Sequence, residues 1–117
     1  ADRTHFVHLR SCYIFPNGNF TEASHLGGRG HLIELCRIFE KAEQEGKCNS
    51  GRRLPMRVDH GMTFTDEPGG VFDESNHGHN AGYTLLGRMF AMGQIQGVIA
   101  TVDDELGIEY KQPGFYD

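Results

Sequence analysis

Leu54-Pro55-Met56-Arg57-Val58-Asp59-His60 is the stretch on which the fold turns. It reads as a strand over 54–60, with Pro55 near its beginning, where proline is tolerated. It ends in the polar run Asp59-His60-Gly61. Upstream, Lys47-Cys48-Asn49-Ser50-Gly51-Arg52-Arg53 is a polar connection whose basic cluster reads as solvated. Before it, Leu32, Leu35, Cys36 and Phe39 fall at i, i+3, i+4 and i+7, which predicts a helix over 31–45 with that face buried. Gly46 is placed to end it. Further upstream, Pro16-Asn17-Gly18-Asn19 is a turn, and His5-Phe6-Val7-His8-Leu9-Arg10 is a strand over 5–10 with β propensity from Phe6 and Val7.

Downstream, residues 61–82 are rich in Gly, Pro, Asp and Asn and too long for an ordinary connection. A second helix is expected from Tyr83 to Gln96, with Leu85, Leu86, Met89 and Phe90 as its buried stripe. Gly87, Gly93 and Gly97 suggest close packing there. The acidic tail from Thr101 to Asp117 reads as irregular, with Asp103-Asp104-Glu105 a solvated surface.

The order strand, helix, strand, helix points to an α/β fold with parallel pairing through helical crossovers. Two parallel strands do not make a self-sufficient sheet. A (β/α)8 barrel takes roughly 250 residues, so 117 residues read as a single segment, 1–117: the C-terminal βαβα portion of a TIM barrel. The open edges then require the remainder of the barrel or another copy of the chain, and a homo-oligomer is expected.

Composition narrows the function. A formal charge of -5, from 16 acidic and 11 basic residues, argues against a chain built to neutralise nucleic-acid phosphates. The apolar stretches are interrupted by charges, so no membrane span is expected. No secretory pattern is seen at Ala1 to Arg10, and the expectation is a cytoplasmic protein. Cys12, Cys36 and Cys48 have no CxxC spacing and suit a reducing compartment.

Polar residues at the C-terminal ends of barrel strands face the active-site mouth. His8 and Arg10 would therefore converge with Asp59 and His60. Imidazole with carboxylate suits Mn²⁺, Fe²⁺ or Zn²⁺, whereas Mg²⁺ sites are more often all oxygen. On spacing alone this signal is weak.

Four ordered runs add to it: His5 to Arg10, Glu22-Ala23-Ser24-His25-Leu26, Leu54 to Gly61, and Ala81-Gly82-Tyr83-Thr84-Leu85-Leu86-Gly87-Arg88. In order and approximate spacing they resemble the mannonate dehydratases, over residues 5 to about 100. The resemblance implies the last two strands of a TIM barrel related to xylose isomerase. It implies conversion of D-mannonate to 2-dehydro-3-deoxy-D-gluconate and water in hexuronate catabolism, with Mn²⁺ or Fe²⁺ as cofactor. It assigns His8 and Asp59 to the metal and His60 and Tyr83 to catalysis, while His25 lies in a family motif and is a candidate to line the substrate pocket. Two further metal ligands, a histidine and a cysteine, belong to earlier strands, and none of the three cysteines here matches that motif. Arg10, a fixed cation with a planar fork, is a candidate for the substrate carboxylate or hydroxyls, its plainer reading being a salt bridge in the barrel wall.

The sequence also departs from the family. Gly27-Gly28-Arg29-Gly30-His31 stands where relatives have an acidic run, and Thr65 to Asn80 is longer than in many of them. His77-Gly78-His79 has chelating residue types but reads as a solvated turn. Two rival readings are a metal-dependent sugar isomerase of the same fold and a non-catalytic barrel remnant or binding module. The tyrosine motif favours dehydration over the first, and only chain length supports the second.

Overall fold

In the computed structural model, which describes residues 3–62 and 85–109, the two expected strands pair. β1 (Val7–Leu9) runs parallel to β4 (Met56–Val58), with Val7 opposite Met56, His8 opposite Arg57 and Leu9 opposite Val58. The Val7 amide donates to Pro55 O and the Asp59 amide to Leu9 O, each at 3.0 Å. Pro55 supplies only a carbonyl to this ladder, so its missing N–H costs nothing. Alternation along the strands then sorts the side chains. Leu9 and Val58 are buried in the main apolar cluster, and His8 and Arg57 lie exposed on the other face.

The cluster is completed by Leu32 and Cys36 of α1 (Leu32–Gln44) and by Ala91, Ile95, Val98 and Val102 of α2 (Leu85–Leu106). Helix α1 lies where its periodicity predicts. Glu34 in the first turn and Lys41 in the last complement its dipole. Gly46 (φ 66°) closes it, the following Lys47 amide donating to Ala42 O at 2.7 Å. Its buried face is rotated from the expected one: Leu32 and Cys36 are buried, but so are Glu40 and Ala42, while Leu35 is exposed and Phe39 half-buried.

Three expectations are corrected. Between β1 and α1 an unexpected hairpin forms from β2 (Cys12–Ile14) and β3 (Phe20–Glu22), with Cys12 opposite Glu22. The expected Pro16-to-Asn19 turn closes it, with Gly18 at φ 89° and the Asn19 amide donating to Asn17 Oδ1 at 2.9 Å. The departure at Gly27-Gly28-Arg29 packs onto this hairpin. A Cβ at Gly28 would collide with Ser11 Oγ, and the Arg29 amide donates to Cys12 O at 3.0 Å.

The second correction concerns α2, which continues through Thr101 to Leu106 instead of ending near Gln96. Its buried stripe is Gly87, Ala91, Ile95, Val98, Val102 and Asp103, whereas Leu85, Leu86, Met89 and Phe90 are exposed. The helix is apolar on two faces, and the tertiary contacts select the smaller, β-branched one. By length and composition it also passes as a membrane-crossing segment, 22 residues with a mean hydropathy of 1.2, contrary to the expectation that no stretch would. Its buried stripe nevertheless packs on α1 and β4.

The third is Asp103, which is 2% exposed and faces the buried Glu40 across the α1–α2 contact. Its neighbour Glu105 is a surface residue, held by a bidentate pair with Arg37 at 2.9 and 3.1 Å.

Candidate active site at the ends of the parallel strands

The carbonyl of Leu9, at the end of β1, accepts two hydrogen bonds. One comes from the Asp59 amide and the other from His25 Nε2, both at 3.0 Å. A carbonyl only accepts, so Nε2 of His25 carries the proton. The His25 amide donates in turn to Gln94 Oε1 of α2 at 3.0 Å, and Gln94 Nε2 donates to Ser24 Oγ at 3.0 Å. His25 thus ties the end of β1, the segment after the hairpin and α2 together. At 2% exposure its ring is enclosed, the position of a packing residue and not one that lines an open cleft.

Gly61 sets the approach of the strand end to α2. A Cβ there would collide with the Gly87 backbone, so this glycine pair lets the chain just after Asp59 and His60 meet the first turn of the helix. The close packing expected of Gly87 is present. Among the described residues, nothing lies within 4 Å of a Cβ at Gly93 or Gly97.

Above this frame, five charged or imidazole side chains form a row. Asp59 Oδ1 lies 3.6 Å from His8 Nδ1, and Asp59 Oδ2 lies 3.7 Å from His60 Nε2. His60 Nδ1 lies 3.2 Å from Glu22 Oε1. Glu22 accepts from Arg10 Nε at 3.0 and 3.2 Å on its two oxygens and pairs with Arg10 Nη2 as well. Side-chain exposure falls along the row from 47% at His8 through 30% at Asp59 and 15% at His60 to 8% at Glu22. The His8 end is open for ligands, the most enclosed member is Glu22, and Arg10 beyond it is again exposed at 37%.

The structure therefore brings together His8, Asp59, His60 and Arg10. Arg10 is directed to Glu22, with its guanidinium 5.4 Å from the Phe20 ring centroid. Glu22 is the member that residue-by-residue reading missed, and the signal for it is its place at the head of the Glu22-to-Leu26 motif. Tyr83, His77, His79 and the stretch Thr65 to Asn80 lie outside the described residues.

Two atoms that each bond one ion at about 2.1 Å must lie within about 4.2 Å of each other. His8 Nδ1 and Asp59 Oδ1, 3.6 Å apart, meet that requirement. Among the described residues no group of three or more His, Cys, Asp or Glu is arranged to hold a metal, so a full shell needs ligands from elsewhere. Cys36 is a poor one: burial, then the nearby Glu40 and Asp103, push its thiol up to about 11.

The family model for D-mannonate dehydratase (UxuA) matches residues 1–109. The chain belongs to the D-mannonate dehydratase family. Among D-mannonate dehydratase relatives, mannonate dehydratase 2 of Agrobacterium fabrum is 33% identical over 108 residues, covering 91% of this chain and 25% of the relative. The mannonate dehydratase of Saccharophagus degradans is 32% identical over 105 residues, with 88% and 25% covered. That of Brucella canis is 31% identical over 104 residues, with 88% and 24% covered. The chain thus spans about a quarter of the length of these relatives.

Proposed function

We propose that this chain forms the last two strand–helix units of a (β/α)8 barrel and contributes part of the active site of a divalent-metal dehydratase that converts D-mannonate to 2-dehydro-3-deoxy-D-gluconate and water. The observation that carries the reading is the His8–Asp59–His60 row at the C-terminal ends of adjacent parallel strands. In a barrel, that end is where active sites are built.

The barrel reading has physical support of its own. The β1–β4 sheet has two strands among the described residues, and parallel sheets are stable only inside larger, covered ones. An open groove of about 670 Å³ runs between β4 and α2, lined by Leu54, Met56, Val58, Met92, Ile95 and Ile99. The next strand of a barrel would fill it.

His8 and Asp59 would hold Mn²⁺ or Fe²⁺ together with ligands from earlier strands. Bound there, the metal supplies Lewis-acid polarisation of the substrate carboxylate. Dehydration removes the proton at C2, forms the C2–C3 double bond and breaks the C3–O bond, and the resulting enol then tautomerises to the 2-keto product. His60, beside Asp59 and mostly enclosed, takes the C2 proton. Tyr83 donates a proton to the departing C3 hydroxyl, which leaves as water.

Replacement of single groups in the full-length enzyme tests these roles. His60→Asn and Tyr83→Phe should each lower mannonate turnover by roughly 100-fold or more, with metal content by atomic absorption near normal. His8→Ala and Asp59→Ala should instead lose metal. Normal metal in the His8 and Asp59 variants, or full turnover in His60→Asn, would sink the assignment.

A further inference from the structure

We propose that Phe6 is a positioning residue for His8: its ring, packed edge-to-face against the imidazole, fixes the direction in which that ligand meets the metal. The inference rests on the reading of His8 as a metal ligand and names a residue that this reading does not include.

A histidine ring turns easily about its last side-chain torsion, whose wells are broad. Its nitrogen binds an ion only when the in-plane lone pair is aimed at that ion. Asp59 does not supply the aim, since its Oδ1 lies 3.6 Å from His8 Nδ1, beyond hydrogen-bond distance. Phe6 does. The two ring centroids lie 4.8 Å apart with their planes at 74°, the edge-to-face geometry that aromatic rings prefer. Leu9 and Val58 pack into the apolar cluster on the other face of the strands, and Phe6 and His8 are both exposed on theirs. The contact between the two rings is therefore what restrains the imidazole.

Phe6 is itself held in place. It stands two residues before His8, so strand alternation puts both on one face. The residues around it are anchored: Thr4 O accepts from the Asn49 amide at 3.0 Å, Asn49 Oδ1 accepts from His5 Nδ1 at 3.1 Å, and the Val7 amide donates to Pro55 O. Asn49 is fixed in turn by its Nδ2, which donates to Arg53 O at 2.6 Å. The entry to β1 is thus tied to the segment that leads into β4 and on to Asp59. In a barrel Phe6 would fall in the layer beneath His8, away from the strand ends where substrate enters.

The test is the Mn²⁺ dissociation constant of the full-length enzyme, measured by competition with a chelator. Phe6→Leu, which keeps an apolar side chain but no ring, should weaken binding about 3- to 10-fold, and Phe6→Tyr, which keeps the ring, should stay within about twofold of wild type. Urea midpoints of the metal-free variants are measured alongside. A lowered midpoint with unchanged affinity would mean that Phe6 is merely structural, and a Phe6→Tyr enzyme as weak as Phe6→Leu would also overturn the proposal. A His8→Ala enzyme with normal metal is a separate outcome, which removes the ligand assignment itself. If Phe6→Leu does not fold, Phe6→Ile replaces it: the β-branched side chain suits a strand, and the same loss of affinity is expected.

Discussion

A methyl group at Gly61 would run into the backbone of Gly87 and lie 2.8 Å from the Arg88 amide. Backbone cannot swing aside as a side chain can, so Gly61→Ala should cost the full-length enzyme about 1–3 kcal/mol through overpacking. It should also lower turnover, because Asp59 and His60 directly precede this contact. Gly93→Ala is the control. With nothing among the described residues within 4 Å of the added carbon in mid-helix, it should be neutral or stabilising by up to about 1 kcal/mol. Urea midpoints of the two variants read the difference, and equal midpoints would show that the Gly61–Gly87 approach is not tight. At this scale His8, Asp59 and His60 can be located from sequence because each ends or interrupts a run of strand-forming residues. Glu22 is marked only by its place at the head of the Glu22-to-Leu26 motif, since its partners come from the residue after β1 and from the end of β4, remote in sequence.

Between α1 and α2 a carboxyl pair is buried, Glu40 at 6% and Asp103 at 2% exposure, with Asp103 Oδ1 lacking a hydrogen-bond partner among the described residues. Burial, then the charges of Asp103 and Glu43 and a hydrogen bond with Asp103, push Glu40 up to about 7, against a smaller opposing effect of Arg53. The folded state therefore binds a proton that the unfolded chain releases near its ordinary value of about 4.3. By linkage, Glu40's contribution is fully present below that value and is lost as pH rises through about 7. Glu40→Gln keeps the hydrogen-bonding shape without the titration. Its stability relative to wild type should therefore rise between pH 5 and 8, by on the order of 2 kcal/mol. Thermal melts of the full-length enzyme across that range check the sign, and a wild type that gains on Glu40→Gln as pH rises would refute it. The pair also shows why element-level reading fails in places. Asp103-Asp104-Glu105 looks like an acidic surface run, yet a helical turn of 3.6 residues sends Asp103 inward and Glu105 outward. In α2, apolar residues on two faces leave periodicity with no unique answer. The three-residue strands of the hairpin are too short for alternation to register, although Pro16 to Asn19 marks its turn.

The sheet built from β1 and β4 leaves each strand with one edge unpaired among the described residues, and Leu85, Met89 and Met92 stand exposed along α2. Unpaired edges and apolar faces associate with whatever covers them. An isolated 117-residue chain should therefore self-associate in sedimentation, or exchange the amides of Val7–Leu9 and Met56–Val58 rapidly. A monomer with slowly exchanging strand amides would mean that the two-stranded sheet is stable unaided. The need for cover is readable in the sequence from strand count and length alone. The route of the chain between β1 and α1 is not, because it depends on a glycine, Gly28, fitting against Ser11. The hairpin there closes on its own ladder from Cys12 to Glu22, outside the sheet that carries His8 and Asp59. For protein engineering this makes it an exchangeable cassette: libraries in that segment could vary what stands beside His60 while β1 and β4 keep their sequence and register.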